Sequence, residues 1–535
     1  MKKLPLGIQS FRKIIEGGYV YVDKTRFVYD LINDASYYFL SRPRRFGKSL
    51  LLDTIGEAFS GNKELFEGLW IYGSDYAFDK YPVIRIDMSN IPNETSEILK
   101  TQLVDELISI MRMEGFDISG TEPGAMFKRL IEGLYVKYNQ RVVVLIDEYD
   151  KPILDHIGNA EAAEANRLVL RGFYGILKSM DPYLRFTFLT GVSKFTKTSV
   201  FSELNNLIDI TLTERYANIC GIAAEDLGEY FCDHIDHLRS LDRFREVRSI
   251  HDEILAWYDG YSWDGVNRVI NPFSLLSFFG QERFGSFWYS SGTPKFLIDL
   301  IKGKPESYVS LKNLKITEKV LDNFDIKTIE LEPLLFQTGY LTVKRLIETG
   351  GSPIYQMDIP NFEVREAFTL QIVASLTESG DTGAESAQFE IRDALEAGDL
   401  QGMLVALRRL FASIPYEIHV PVEAYYHSIF YASLTLLGFD MDVEVSVSTG
   451  RVDAILELED KVYIMEFKYE NCPLGTSADK KRALFDKALD DGMEQIRNKG
   501  YHSKFIGSGK TIYFTAFAFL GRDEIEMRVE EGIGF

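Results

Sequence analysis

The segment RVVVLIDEYDKP, Arg141 to Pro152, sets an unbroken apolar run, Val142 to Ile146, directly before Asp147 and Glu148. A run without polar alternation fits a strand buried on both faces, which in soluble proteins means a parallel sheet covered by helices. Ligands bind at the carboxyl ends of such strands, so the acidic pair sits where chemistry is expected. ASYYFL, PVIRIDMS, RFTFLTGVSK and LIDITL supply four more strand-like runs separated by helical spacing. Together they predict a doubly wound α/β layer up to about residue 215.

SRPRRFGKSL, Ser41 to Leu50, matches the phosphate-loop motif G-x-x-x-x-G-K-[ST] at Gly47, Lys48 and Ser49, and departs from it at the first glycine, which is Arg42. It lies between the extended ASYYFL and SLLLDTIGEAF, whose apolar residues recur at helical spacing. In a strand, loop, helix context, backbone N–H groups and the helix N-terminus surround a β-phosphate, Lys48 reaches the β and γ oxygens, and Ser49 offers its hydroxyl to Mg²⁺. The expected nucleotide contacts are therefore Arg44, Arg45, Phe46, Gly47, Lys48, Ser49 and Leu50. Asp147 would join Ser49 around Mg²⁺, and Glu148 would polarise the attacking water. Thr190 and Ser193 end the RFTFLTGVSK strand where either a γ-phosphate sensor or a plain strand-end cap would lie. Asp150 fits either support of that site or a solvated cap. Arg42 poses a question, because glycine at that position permits a positive φ that a residue with a Cβ adopts less readily.

At 535 residues the chain is too long for one core, and three or more units are expected. A formal charge of −21 argues against a broad basic surface, so any polyanion site must be local. Cys220, Cys232 and Cys472 form no C-x-x-C pair, which fits a reducing cytosol. MKKLPLGIQSFRK has no apolar run behind its lysines, and no stretch approaches a membrane span, so a cytoplasmic protein without membrane contact is expected.

Residues 216–288 are helical in pattern and predict a helical lid. Within them CDHIDH brings Cys232, His234 and His237 close in sequence, a polar helix face rather than a zinc site because no second ligand pair lies nearby. Residues 289–370, helices followed by LLFQTGYLTVKR, Gly350, Gly351 and PIYQMDIP, suggest a winged-helix-like domain; Lys344 and Arg345 are too few basic residues to favour DNA binding over packing. Residues 371–415 suggest a helical connector.

GRVDAILELEDKVYIMEFKYE contains two strand-like runs around Glu459 and Asp460. A two-residue turn there pairs Leu458 with Lys461 and, counting outward, sets Asp453 opposite Glu466. Cross-strand Cβ atoms lie about 4.5 to 5.5 Å apart, close enough for two carboxylates to share a metal ion, and Lys468 points to the same face. Three charged groups on an otherwise apolar face require a shared cation or a structural salt-bridge cluster. PVEAYYHSIFYASLTLLG ahead of the hairpin is amphipathic, FDMDVEVSV is strand-like, and KKRALFDKALDDGMEQIRNKGY and TIYFTAFAFL read as a following helix and strand.

YVDKTRFVYDLI, SRPRRFGKSL, LIDEYDKPI and FSELNNLIDIT together resemble the bacterial AAA-ATPase-like family whose members carry a C-terminal PD-(D/E)XK nuclease-like domain. That family's loop reads R-P-R-R-F-G-K-S, so Arg42 matches it. The resemblance implies an AAA-like or STAND-like P-loop domain over 1–215 and a restriction-endonuclease-like α/β domain over 416–535. In the latter the helix, three strands, helix, strand order and D-x12-E-x-K match the nuclease signature. It further implies ATP and Mg²⁺ as cofactors, with Asp453 and Glu466 holding Mg²⁺ or Mn²⁺ and Lys468 orienting or deprotonating a water. Glu423, His427, Gln495 and Tyr501 match positions around such sites. A nucleic-acid partner, DNA favoured, a homo-oligomer, and a role in defence or mobile-element control belong to the same expectation. Two other readings stay open: a nucleotide-switched binding module with an inactive nuclease fold, and an ATPase whose C-terminal domain serves oligomerisation.

Overall fold

The computed structural model describes the chain apart from residues 117–118, 195–205, 289–313, 322–330, 349, 369–389, 392, 396, 413–429, 431–433, 435–440, 448–449, 459, 474, 522–523 and 533–535. The chain divides into two compact units, residues 1–292 with 313–364, and residues 293–312 with 365–535.

In the first unit all five expected strands form: β1 (Tyr37–Ser41), β2 (Val83–Asp87), β3 (Val142–Asp147), β4 (Leu184–Gly191) and β5 (Ile208–Asp209). They make one parallel sheet in the order β2-β3-β4-β1-β5. Val142 to Ile146 are at most 2% exposed, as a strand covered on both faces requires. Because β4 lies between β3 and β1, the register Leu40↔Thr190 and Ile146↔Leu189 brings the ends of these three strands together. The phosphate loop leaves β1 at that edge and enters the helix Lys48–Phe59.

Helices Ala224–Tyr230, Cys232–Arg239, Ile250–Tyr258 and Pro272–Gln281 enclose Leu227, Phe231, Ile254, Tyr258, Leu275 and Phe278. Strand β6 (Lys315–Thr317) precedes the helix Leu331–Thr338, and with β7 (Thr342–Ile347) and β8 (Ile354–Asp358) beyond it forms an antiparallel sheet in the order β6-β8-β7. Lys344 is neutralised by Asp358 at 2.6 Å, leaving this hairpin with less basic charge than its sequence suggests.

The second unit is built on a sheet in the order β13-β12-β11-β10-β9: β9 (Met441–Val447), β10 (Gly450–Glu457), β11 (Lys461–Glu470), β12 (Thr511–Leu520) and β13 (Glu524–Gly532). Helix Ala478–Lys499 covers one face through Phe485, Leu489, Met493 and Ile496. Gly492 lets it approach closely, since a Cβ there would lie 3.0 Å from the Ala516 Cβ. β13 is absent from the sequence-based expectation, although EIEMRV alternates in the manner of a half-buried strand. Its glutamates blunt an otherwise open edge. The helix Leu400–Ala412 packs beside it, with Arg408 donating to the Ile525 carbonyl and pairing with Glu526, each at 2.9 Å.

Arg42 locks the loop into the first unit. Its side chain is fully buried, its Nη1 donates to the carbonyls of Ser41 (2.9 Å) and Thr211 (2.8 Å), and its Nη2 donates to Tyr216 (3.3 Å). The guanidinium carbon lies 3.8 Å from the Trp263 ring centroid. Burial pulls this group down to about 10. Arg42 is not among the residues of positive φ; that conformation falls on Arg45 (70°) and Gly47 (92°), which is why the motif tolerates a side chain at position 42. Arg42→Gly, which restores the common motif residue, removes a donor from the Ser41, Thr211 and Tyr216 carbonyls and opens a cavity. It is expected to lower stability by about 2 to 5 kcal/mol, checked by chemical denaturation. An unchanged midpoint would refute the lock.

Candidate functional site

Among the described residues, none of the backbone N–H groups from Arg44 to Leu50 finds an acceptor. These amides lie at the N-terminus of the helix Lys48–Phe59, where both the unpaired donors and the helix dipole favour an anion. Nothing lies within 4 Å of where a Gly47 Cβ would be, so the cradle is open. Lys48 is 5% exposed, and its Nζ donates to the carbonyls of Arg42 (2.9 Å) and Pro43 (3.0 Å). The Ser49 hydroxyl makes no hydrogen bond among the described residues. Phe46 is fully buried, edge-on to Tyr261 and Trp263, and Arg45 lies over the Phe273 ring at 3.8 Å. Only backbone is thus offered to a ligand by Phe46.

The acidic residues meet this loop at the strand ends. Asp147 Oδ1 accepts from the Thr190 hydroxyl at 2.5 Å and from the Glu148 N–H at 3.0 Å. Glu148 adopts φ 47°, an uncommon conformation for a residue with a side chain and a mark of functional sites. Burial raises its carboxyl above the ordinary range, the Asp147 and Asp150 charges add to this, and Lys48 and Arg44 oppose it. Asp150 is 1% exposed, so it is no solvated cap. It accepts from the Val192 N–H (3.0 Å), the Ser193 N–H (2.6 Å) and the Ser193 hydroxyl (2.6 Å), and burial raises its carboxyl. The Ser193 hydroxyl is therefore engaged by Asp150, while Thr190 holds the carboxylate expected to face Mg²⁺.

Beside the loop lies a mainly apolar cleft of about 650 Å³, counting the part open to solvent, lined by Ile14, Val20, Tyr21, Phe46, Gly47, Leu50, Ile219, Cys220 and Ile222 among others. Its mainly apolar lining is of the kind found in small-molecule sites. Sequence reading found Phe46, Gly47 and Leu50 but missed the rest of this wall, because its other parts come from distant segments. The imidazoles of the CDHIDH segment go separate ways: His234 is buried on the Lys2 carbonyl at 3.1 Å, and His237 meets Glu282 at 2.9 Å.

In the second unit, Leu458 N–H donates to the Lys461 carbonyl at 2.8 Å, and the ladder runs Glu457↔Val462, Leu456↔Tyr463, Ile455↔Ile464, Ala454↔Met465. Continued by one residue, this register sets Asp453 against Glu466. Asp453 Oδ2 accepts from the Phe467 N–H at 2.8 Å, which fixes it beside β11. Glu466 is fully buried; its Oε1 accepts from Lys468 Nζ at 3.1 Å, and its Oε2 has no partner among the described residues. Burial, reinforced by the Asp453 charge, pushes the Glu466 carboxyl up to about 7, against the pull of Lys468. An orphaned buried oxygen beside a second carboxylate is a donor set suited to a hard divalent cation. No group of three His, Cys, Asp or Glu side chains gathers as a ready metal site among the described residues. Gln495 lies on the covering helix; Glu423 and His427 lie outside the described residues, as does the side chain of Tyr501.

No helix among the described residues is long and apolar enough to cross a membrane. A family described as a predicted AAA-ATPase matches residues 5–201, and the PD-(D/E)XK nuclease superfamily matches residues 422–528. The "Uncharacterized protein in vnfD 5'region" of Azotobacter chroococcum mcd 1 is 37% identical over 526 residues, covering 97% of this chain and 96% of that protein. The solved Aeropyrum pernix ORC2 protein, determined as ADPNP–ADP complexes, is 12% identical at a TM-score of 0.27 over 64% of this chain and 93% of that one, too loose a likeness to inform the site. With both family matches in the expected order and a relative aligned over nearly its whole length, the chain belongs to the AAA-ATPase-like family that carries a C-terminal PD-(D/E)XK nuclease-like domain.

Proposed function

We propose that the protein binds and hydrolyses ATP and carries a metal-dependent nuclease site that cleaves nucleic-acid phosphodiesters, DNA favoured. The observation that carries the reading is the buried Glu466 carboxyl, with one oxygen unpartnered and Asp453 opposite it. A purely structural cluster would satisfy both oxygens. Asp453 and Glu466 would hold Mg²⁺ or Mn²⁺, and Lys468 would orient the attacking water or take its proton. When bound, such an ion lowers the pKa of a water and offsets charge on the phosphodiester.

The nucleotide half rests on the unclaimed amides of Arg44 to Leu50. Lys48 would exchange its loop carbonyls for phosphate oxygens, Ser49 and Asp147 would face Mg²⁺, and Glu148 would polarise the water. The apolar cleft beside Gly47 would take the base. A homo-oligomer, a cytoplasmic setting and a role in defence or mobile-element control complete the proposal, and the β6-β8-β7 sheet with the helix between β6 and β7 supports a winged-helix-like reading of the middle. The second reading, a binding module that does not cut, draws on the Lys468–Glu466 contact, which already offsets one charge without a cation.

Lys48→Ala is expected to abolish ATP binding in calorimetry, whereas Glu148→Gln keeps binding and slows hydrolysis by about 10²-fold or more. Hydrolysis at the wild-type rate by Glu148→Gln would remove that residue from the site. For the nuclease, Asp453→Ala or Glu466→Ala should lose divalent-ion binding and cleavage together, while Lys468→Ala keeps the ion and loses cleavage. Cleavage persisting in excess EDTA would overturn the assignment and leave the binding module.

The raised Glu466 carboxyl also gives a pH test. Folding favours its protonated form, so its contribution to the stability of the metal-free protein is full below about 4.5 and is lost as pH rises through about 7. Relative to wild type in EDTA, Glu466→Gln should therefore gain on the order of 2 to 3 kcal/mol between pH 5 and pH 8. Mg²⁺ at pH 8 should stabilise the wild type and leave the variant unmoved. Parallel pH profiles would show that Glu466 is not the titrating group.

A further inference from the structure

The phosphate loop carries four cations, and the fold engages three of them. Arg42 is buried on three carbonyls and Trp263, Arg45 lies over Phe273, and Lys48 caps the Arg42 and Pro43 carbonyls. Arg44 differs. Its guanidinium makes no hydrogen bond, ion pair or ring contact among the described residues, and the side chain is partly exposed in a chain with 80 acidic residues and a net charge of −21. Its backbone is nonetheless fixed. The Arg44 carbonyl accepts from Trp288 Nε1 at 3.4 Å, and the preceding Pro43 is buried where a Cβ on Gly339 would come within 3.0 Å of its ring. A long cation on a rigid stem, left unpaired at the mouth of an anion cradle, is placed to meet a ligand.

We propose that Arg44 contacts the terminal phosphate of a bound nucleoside triphosphate and stabilises, from within the same chain, the charge that develops there during hydrolysis. This rests on the reading of the loop as an ATP site and assigns to Arg44 a task distinct from that of Lys48. Its place in the loop supports it, since Arg44 stands between the buried Pro43 and the unclaimed amides, and its charge, with that of Lys48, acts on the Glu148 carboxyl at the end of β3. In the step concerned, the water oxygen bonds to the γ-phosphorus as the bond from that phosphorus to the β–γ bridging oxygen breaks. The electron pair leaves on the bridging oxygen of ADP, and the water's proton passes to Glu148 and on to solvent. Inorganic phosphate is the second product. Negative charge moves toward the bridging oxygen, and a planar guanidinium can hold two phosphate oxygens at once where an ammonium cannot. An arginine in this role is worth about 10³-fold or more in rate whether it arrives from the same chain or another.

The test uses the full-length protein with Arg44→Ala and Arg44→Lys, titrated calorimetrically with Mg²⁺-ADP and with a non-hydrolysable triphosphate analogue, alongside ATP turnover. Arg44→Ala should bind ADP within about twofold of wild type, bind the triphosphate analogue at least tenfold more weakly, and hydrolyse ATP about 10³-fold more slowly. Arg44→Lys should recover most triphosphate binding and little of the rate. A merely structural role would weaken ADP and triphosphate alike, and that result overturns the proposal. Wild-type affinities and turnover in Arg44→Ala overturn it too while leaving the ATP site intact. A wild type that binds neither nucleotide removes the ATP site itself, and Arg44's role with it.

Discussion

A guanidinium taken wholly out of water must find acceptors or it costs several kcal/mol, and in this fold Arg42 finds them only in main-chain carbonyls and an indole face. Among the described residues, no carboxylate pairs with it. The acceptors come from the end of β1, from the chain just beyond β5 and from Tyr216, while Trp263 belongs to the aromatic turn after the helix Ile250–Tyr258. One side chain therefore makes the course of the phosphate loop depend on the turn that carries Trp263, and that turn depend on the loop. Phe46 against Tyr261 and Trp263, and Trp288 on the Arg44 carbonyl, repeat the same link with apolar and amide groups.

Both candidate sites answer one electrostatic problem in similar terms. Each places a carboxyl where burial disfavours its charge, Glu148 at the end of β3 and Glu466 within β11, and each sets a second carboxylate and a lysine beside it. The difference lies in support. Asp147 is held by Thr190, and Asp150 pins the start of the segment after β4, so the first site is braced across two strands. Among the described residues, Glu466 is braced by Lys468 on one oxygen and by nothing on the other.

Much of this was legible in the sequence where the signal is local. An unbroken apolar run marked β3, strand-like runs separated by helical spacing marked the other four strands of the parallel sheet, and two-residue turn geometry was enough to place Leu458 opposite Lys461, from which the Asp453 and Glu466 register follows. The rest depends on long-range contact. The wall of the apolar cleft joins Ile14 and Val20 to Ile219 and Ile222, residues no periodicity connects. Asp150 reads as a polar residue at a helix start until the fold buries it under Val192 and Ser193. Arg42 looks like a lost glycine because the motif encodes backbone conformation, whereas the need for positive φ had passed to Arg45. β13 had its alternation in view, but interleaved glutamates disguise an edge strand as surface.

The Lys48 ammonium already sits on the Arg42 and Pro43 carbonyls, which makes the loop its own competitor. Any anion entering the cradle must first win this cation away from an intramolecular rival held at hydrogen-bond distance. Measured affinity is then weaker than the intrinsic affinity of the open loop, by the fraction of molecules in which the ammonium is released. The resting loop thus occupies with its own carbonyls the ammonium that an entering anion would have to claim.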